Sequence, residues 1–285
     1  MSEVRKMKQS GIGRAIGKTL VYLLLLAVAF SIFYPFYFML INSLKEEAAY
    51  FADVFGLPRQ ANWANYRIAW ERFNILTCAR NSMIVTLGAI FIQGLTSSMA
   101  AYSFAKLKFR GSTKVYGIII ACLMLPGQCL MVPVYQMMSK MRLINTYWSC
   151  ILYFGATGIP FGTFVLTSQA KSIPDALLDA AEIDGASAPR TFFSVLLPLM
   201  RPAITTVAIL GFLSCWNDLL YSMLLLQKNS VRTLTVEVAT TVSKYSNNMP
   251  LLYTGLLLNC IPAVLVFIFF QKYISQGMVA GAIKS

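Results

Sequence analysis

The sequence predicts an all-α, polytopic membrane protein with six transmembrane helices. Composition is the first reason: 57% of the residues are hydrophobic and 12% are charged, where a soluble domain carries about 25% charged residues. Patterning is the second. Apolar blocks fall near 19–42, 83–105, 115–137, 146–168, 203–226 and 252–274, each close to the roughly 20 residues that cross a hydrocarbon core of about 30 Å. The formal charge of +13 comes from 24 Lys and Arg spread in small groups between these blocks. They form no single basic face of the kind that nucleic acid needs, and read as topology signals.

Residues 1–18 are an N-terminal segment, expected to be cytoplasmic, and 19–285 form one transmembrane domain. The first block lacks an A-x-A site near its end and is long enough to span, so it is expected to stay as a helix. Breakers recur inside the spans: Pro35 in the first, Leu125-Pro126-Gly127 in the third, GIPFG at Gly158 to Gly162 in the fourth and Pro262 in the sixth. Neighbouring helices can re-satisfy backbone groups freed in this way. The breakers suit either a moving bundle or harmless kinks.

Loop charges set the expected orientation. A cytoplasmic N-terminus places Arg5, Lys6, Lys8, Arg14 and Lys18 inside, followed by Lys106, Lys108, Arg110 and Lys114, then Lys171, Arg190 and Arg201, and finally Lys272 and Lys284. The loop after the first span mixes its basic residues with Glu46, Glu47, Asp53 and Glu71. The positive-inside rule then predicts both termini in the cytoplasm and puts residues 170–201 on that side.

That loop is the acidic exception in the chain. Asp175, Asp179, Glu182 and Asp184 are four of the eleven acids, within ten positions. Ser172-Ile-Pro-Asp175 reads as a capping box with Pro just inside a helix start. Residues from Ala176 to Asp184 favour helix, and Gly185 is placed as a left-handed C-cap. A second helix is expected to restart at Ser187-Ala-Pro-Arg190 and run into Pro198 and Pro202. Asp175, Asp179 and Glu182 recur at four and three, which puts them on one face. On charge alone, that face is either solvated or an interface.

Asp218 is the only acid within an apolar block. Counted from Ala203, it lies roughly 22 Å along a continuous helix. With Trp216, Asn217 and Tyr221 it forms a candidate substrate path, since sugars are bound by planar polar groups and aromatic faces. A structural bond to a neighbouring helix is an equal reading. Residues Gln227 to Pro250 read as a long polar loop, either functional or a plain connector.

The zero histidine count excludes a His-based triad, and the six cysteines, none in a C-x-x-C pair, read as small hydrophobes in apolar runs. No catalytic or metal-binding residues are expected. Gly11 to Gly13 carries a G-x-G without the G-K-[ST] of a phosphate loop, so no ATP site is expected on this chain.

Asp179-Ala180-Ala181, three residues, Gly185 and then Leu196-Leu197-Pro198 together resemble the EAA signature of binding-protein-dependent ABC importer permeases. The form DAAEIDGAS resembles the carbohydrate branch, in particular the six-span second permease of maltose-type importers. INSLK at Ile41 to Lys45, LPRQANWANYRIAW at Leu57 to Trp70, SCWND at Ser214 to Asp218 and the C-terminal QKYISQGMVAGAIKS agree with it. One position departs from the pattern, because Asp179 stands where the family has Glu.

The resemblance implies a type I ABC importer fold with a cytoplasmic coupling helix in the bacterial plasma membrane, and import of a carbohydrate, an oligosaccharide, by alternating access. It implies that Asp179, Ala180, Ala181, Glu182, Asp184, Gly185 and Arg190 contact a separate ATPase. ATP and Mg would sit on that partner, with no cofactor on this chain. Further implied partners are a second permease, an extracytoplasmic solute-binding protein and membrane lipid. A membrane-embedded enzyme would need His or a nucleophile at the membrane edge, and a secondary transporter more intramembrane charge.

Overall fold

The computed structural model describes the backbone of residues 2–107, 109–244 and 248–282, and the side chains of 17–107, 109–240 and 248–272. All regular structure among them is helical. The first helix, α1 (Ser2–Ser43), contains an apolar stretch from Gly17 to Ser43 that is almost wholly exposed along its length. Two short helices follow, α2 (Glu47–Ala52) and α3 (Ala64–Arg72), and they cover one end of the bundle.

The INSLK segment is built into that end. Lys45 is 2% exposed, and its Nζ donates to the carbonyl oxygens of Asp53 at 2.8 Å and Val54 at 3.1 Å. Burial pulls the Lys45 ammonium below the ordinary lysine range, with the nearby Asp53 carboxylate opposing. Asn65 Nδ2 donates to the carbonyls of Ser43 and Lys45, both at 2.8 Å, which pins α3 to the end of α1.

The longest central helix is α4 (Ile75–Lys106). The third apolar block is a bent pair: α5 (Ser112–Ala121), extended to Met124, meets a segment from Gly127 that leads into α6 (Met131–Lys140) at 98°. Pro126 has no N–H, and its ring drives Leu125 out of helical geometry to ψ 120. The next span, α7 (Tyr147–Ser172), packs along α4. The two helices approach closely because glycines face side chains: a Cβ on Gly88 would sit 2.9 Å from Ile151, and one on Gly158 2.5 Å from Gln93 Cδ.

After α7 come α8 (Ala176–Ile183) and α9 (Ala188–Thr191). A turn of π-helix over Phe192–Leu196 and the short α10 (Leu197–Leu199) lead to a 76° bend before α11 (Arg201–Trp216). Pro198 has no N–H to give the ladder just after the π turn, and Pro202 falls in the first turn of α11, where a missing N–H is tolerated.

The fifth span does not run on to 226. Its helix stops at Trp216, and α12 (Leu220–Leu225) starts after a break. Asp218 therefore does not lie along a continuous helix. Its carboxylate accepts the backbone N–H of Ser222 at 2.8 Å, capping the α12 start. Nor is 227–250 a plain polar loop. It contains α13 (Leu234–Lys244), whose Leu234, Val236 and Val238 are buried. Residues 245–247 of that stretch lie outside the described set. The last helix is α14 (Met249–Ala282).

Three apolar clusters hold the bundle. Phe73, Phe212, Trp216, Leu234 and Val238 meet under α3 and α13; Val85, Met138, Tyr153, Tyr221 and Leu225 join α4, α6, α7 and α12; Ala101, Leu166, Phe192, Leu196 and Met200 close the end that carries α8.

Candidate functional site

Helix α8 lies in a segment between long spans, and none of its residues is buried. Its start differs from the sequence expectation. Ser172 still belongs to α7, and its hydroxyl turns back to the Gln169 carbonyl at 2.7 Å, so no capping box forms. Asp175 occupies the N-cap without a side-chain cap bond. Its carboxylate instead meets Lys106 Nζ at 2.6 Å, while the same ammonium donates to the Ile173 carbonyl at 2.5 Å. Lys106 ends α4, with its side chain 5% exposed.

The other end of α8 follows local turn chemistry. Gly185 has φ +77, Ala186 N–H donates to the Ala181 carbonyl at 2.9 Å, and Gly185 N–H donates to the Glu182 carbonyl at 2.9 Å. This pair of bonds is a Schellman motif, and the left-handed residue suits glycine. Ser187 then takes an extended N-cap conformation and Pro189 falls in the first turn of α9.

Asp175, Asp179 and Glu182 share one face, and together with Tyr102, Lys106 and Thr191 they line a cleft of about 510 Å³ between α8 and the end of α4. Asp179, Ala180, Glu182, Asp184, Gly185 and Arg190 are exposed and Ala181 is half-buried. At the tip, Ile183 is 86% exposed. Leu178, on the same side of α8 and in the same cleft, packs against the cluster around Phe192 and Leu196. The result is a short helix held along one edge, with Asp179, Glu182 and Ile183 exposed.

The four residues of the expected substrate path are distributed differently. Trp216 is buried, stacked on Phe212, and donates from Nε1 to the Asn259 carbonyl at 3.1 Å. Tyr221 is buried in another cluster, stacked on Tyr153, with its hydroxyl donating to the Gly127 carbonyl at the proline break. Asn217 bonds back to Leu213 within α11. Trp216 and Tyr221 thus belong to two different apolar clusters.

Lys106 is the residue that sequence reasoning read for topology alone. Its role depends on a contact 67 residues away, although a cation in the last turn of a helix is a recognisable carbonyl binder. All six cysteines are free, and no group of metal-ligating side chains assembles among the described residues.

A bundle of four long apolar helices and two bent pairs, carrying a short exposed helix clamped beneath it, defines a multi-pass membrane protein with the fold of type I ABC importer permeases. The family model of the binding-protein-dependent transport system inner membrane component matches residues 93–280, and the chain belongs to that family. The chain is 36% identical over 204 residues, 72% of each protein, to the arabinooligosaccharides transport system permease protein AraQ of Halalkalibacterium halodurans. It is 32% identical to the melibiose/raffinose/stachyose import permease protein MelC of Bacillus subtilis, covering 93% of this chain and 96% of that one. Among solved structures, a chain of a bacterial ABC transporter involved in import of the acidic polysaccharide alginate superposes with a TM-score of 0.76 at 22% identity, covering 90% of this chain and 96% of that chain.

Proposed function

We propose that this chain is one permease subunit of an ATP-driven importer for an oligosaccharide, with both termini in the cytoplasm of a bacterial cell. The observation that carries the coupling role is α8 itself: an eight-residue helix with no buried residue, capped by Gly185 at φ +77 and tied along one edge through Lys106. A helix that exposes Ile183 at 86% beside Asp179 and Glu182 has the mixed apolar and charged surface of a protein interface. A separate ATPase dimer, holding ATP and Mg, receives it. Asp179, Ala180, Ala181, Glu182, Asp184, Gly185 and Arg190 form the contact, and closure of the ATPase moves the spans as rigid bodies.

Sugar specificity is supported by relatives named for arabinooligosaccharides and for melibiose, raffinose and stachyose. A second permease completes the translocation path, and an extracytoplasmic solute-binding protein delivers the sugar. The test is assembly. The chain, co-expressed with an ATPase, a second permease and a solute-binding protein from the same genome, is expected to purify as one complex whose ATP hydrolysis rises on adding loaded binding protein. Sugar transport by this chain alone, without ATP, would overturn the reading.

A further inference from the structure

A notch of about 200 Å³ opens where α4, α7 and α11 meet, lined by Gln93, Phe154, Gly158, Phe161, Gly211 and Ser214. It lies at membrane depth. Gln93 is about 20 Å from the Lys106 end of α4 and about 27 Å from the Ile75 end, at 1.5 Å per residue.

Gln93 is 5% exposed and held in one pose: Nε2 donates to the Gly158 carbonyl at 3.1 Å. Gly211 leaves room for the other end of the amide, since a Cβ there would stand 2.7 Å from Gln93 Oε1. Both glycines are therefore part of the seat. No described residue donates to Oε1. Across the notch, Ser214 is exposed, and its hydroxyl makes no bond within the described residues.

Facing hydrocarbon, an unpaired amide oxygen and an exposed hydroxyl would be costly. The notch therefore faces a hydrated path. No charged side chain lines it, which excludes selection of an ion or a charged solute by pairing. An amide acceptor and a hydroxyl beside the two rings of Phe154 and Phe161 match a neutral polyol, whose hydroxyls donate and accept while its C–H faces lie against aromatic rings.

We propose that this notch is where the chain contacts the sugar in transit, with Gln93 and Ser214 as its polar contacts and Phe154 and Phe161 as its apolar walls. This rests on the importer reading above and moves the contact away from Trp216 and Tyr221, which the fold uses in its interior.

The experiment uses the full complex in proteoliposomes with its binding protein, measuring ATP hydrolysis and uptake of labelled raffinose or arabinotriose, whichever the wild type imports. Loss of one hydrogen bond to the moving sugar is expected to lower uptake about tenfold in Gln93→Ala and in Ser214→Ala. Hydrolysis stimulated by the loaded binding protein stays at the wild-type rate, so less sugar moves per ATP. Phe91→Ala, on an exposed face of α4 outside the notch, leaves both unchanged. Equal loss of uptake and hydrolysis in Ser214→Ala, or no loss of uptake in either notch variant, overturns the site. A wild-type complex that neither hydrolyses ATP in response to binding protein nor imports either sugar overturns the importer reading, and the site with it.

Discussion

Lys106 Nζ lies 2.6 Å from Asp175 Oδ1 and 2.5 Å from the carbonyl oxygen of Ile173, so one ammonium joins the end of α4 to the turn that launches α8. The two contacts are unequal. Asp175 is 78% exposed, and an ion pair in water contributes roughly 0–1 kcal/mol. A charged donor on a carbonyl out of water contributes about 1.5–3 kcal/mol. The carbonyl bond is the stronger link between the span and the short helix.

Replacing that ammonium separates attachment from transmission. Lys106→Met keeps the apolar stem but leaves the Ile173 carbonyl without its donor, so α8 retains its outward face on a looser mount. We expect the ATPase still to co-purify, while the stimulation of ATP hydrolysis by loaded binding protein falls several-fold. Asp175→Asn should fall much less, because the bond to Ile173 persists. Equal effects in the two variants would show that the ion pair, not the carbonyl bond, carries the link.

Gly185 tests the aim of α8. Its φ of +77 lies where an L side chain costs about 1–2 kcal/mol, while a built Cβ meets nothing within 4 Å. Gly185→Ala should therefore weaken coupling mildly through strain alone. Gly185→Pro forces φ to about −65° and removes the N–H that reaches the Glu182 carbonyl. That variant is expected to insert its spans at wild-type levels yet lose the ATPase on purification. Wild-type coupling in Gly185→Pro would mean that α8 transmits nothing.

What could be read in advance follows the range of the forces involved. The fold class and the Gly185 cap were legible because hydropathy and turn chemistry act over a few residues. Ser172 misled for the same reason. Its spacing suits a cap, but packing around Ala170 carries α7 on to Ser172, where the hydroxyl bonds the helix it ends. The fifth apolar block looked continuous because hydropathy does not register Asp218 recapping a new helix at Ser222. Likewise α13 hid in a polar stretch, since its buried Leu234 and Val238 pack against elements distant in sequence. Lys106 to Ile173 and Gln93 to Gly158 are long-range contacts, and single-sequence patterning is silent on both.

The acidic face of α8 should be redundant. Asp179 and Glu182 line the same cleft one turn apart, both exposed. On the coupling role proposed above, Asp179→Ala removes one carboxylate while Glu182 remains to pair with a cation of the ATPase, so co-purification should survive with a modest loss of stimulated hydrolysis. In the double alanine variant that cation is left desolvated and unpaired, at a cost on the order of 2–5 kcal/mol. Pull-down of the ATPase should then fail at low micromolar concentration. Retention of the ATPase by the double variant would reduce this face to a solvated surface.

Asn65 offers a prediction at the opposite end of the molecule, where stability rather than coupling is at stake. Both hydrogens of its amide are used, one on the Ser43 carbonyl and one on the Lys45 carbonyl, each at 2.8 Å, and the residue is 7% exposed. The Ser43 carbonyl ends α1, where the helix has no further donors of its own, and the Lys45 carbonyl follows two residues beyond it. The Ser43 carbonyl has a second donor in Thr254 Oγ1, at the longer distance of 3.4 Å, so Lys45 is the group most dependent on Asn65. Asn65→Ala strips at least one buried carbonyl of its partner, a loss of about 1–3 kcal/mol, and leaves α3 bonded to the end of α1 only through the Tyr66 and Ser43 hydroxyls at 2.9 Å. The thermal midpoint of the detergent-purified complex should drop by several degrees, and coupling measured well below that midpoint should be unchanged. Asn65→Asp is expected to be worse than alanine, because the carboxylate would face the same two carbonyl oxygens with no donor to offer. A midpoint that does not move in either variant would show that α3 is held by the Tyr66–Ser43 hydroxyl contact and by Phe73 with its apolar neighbours.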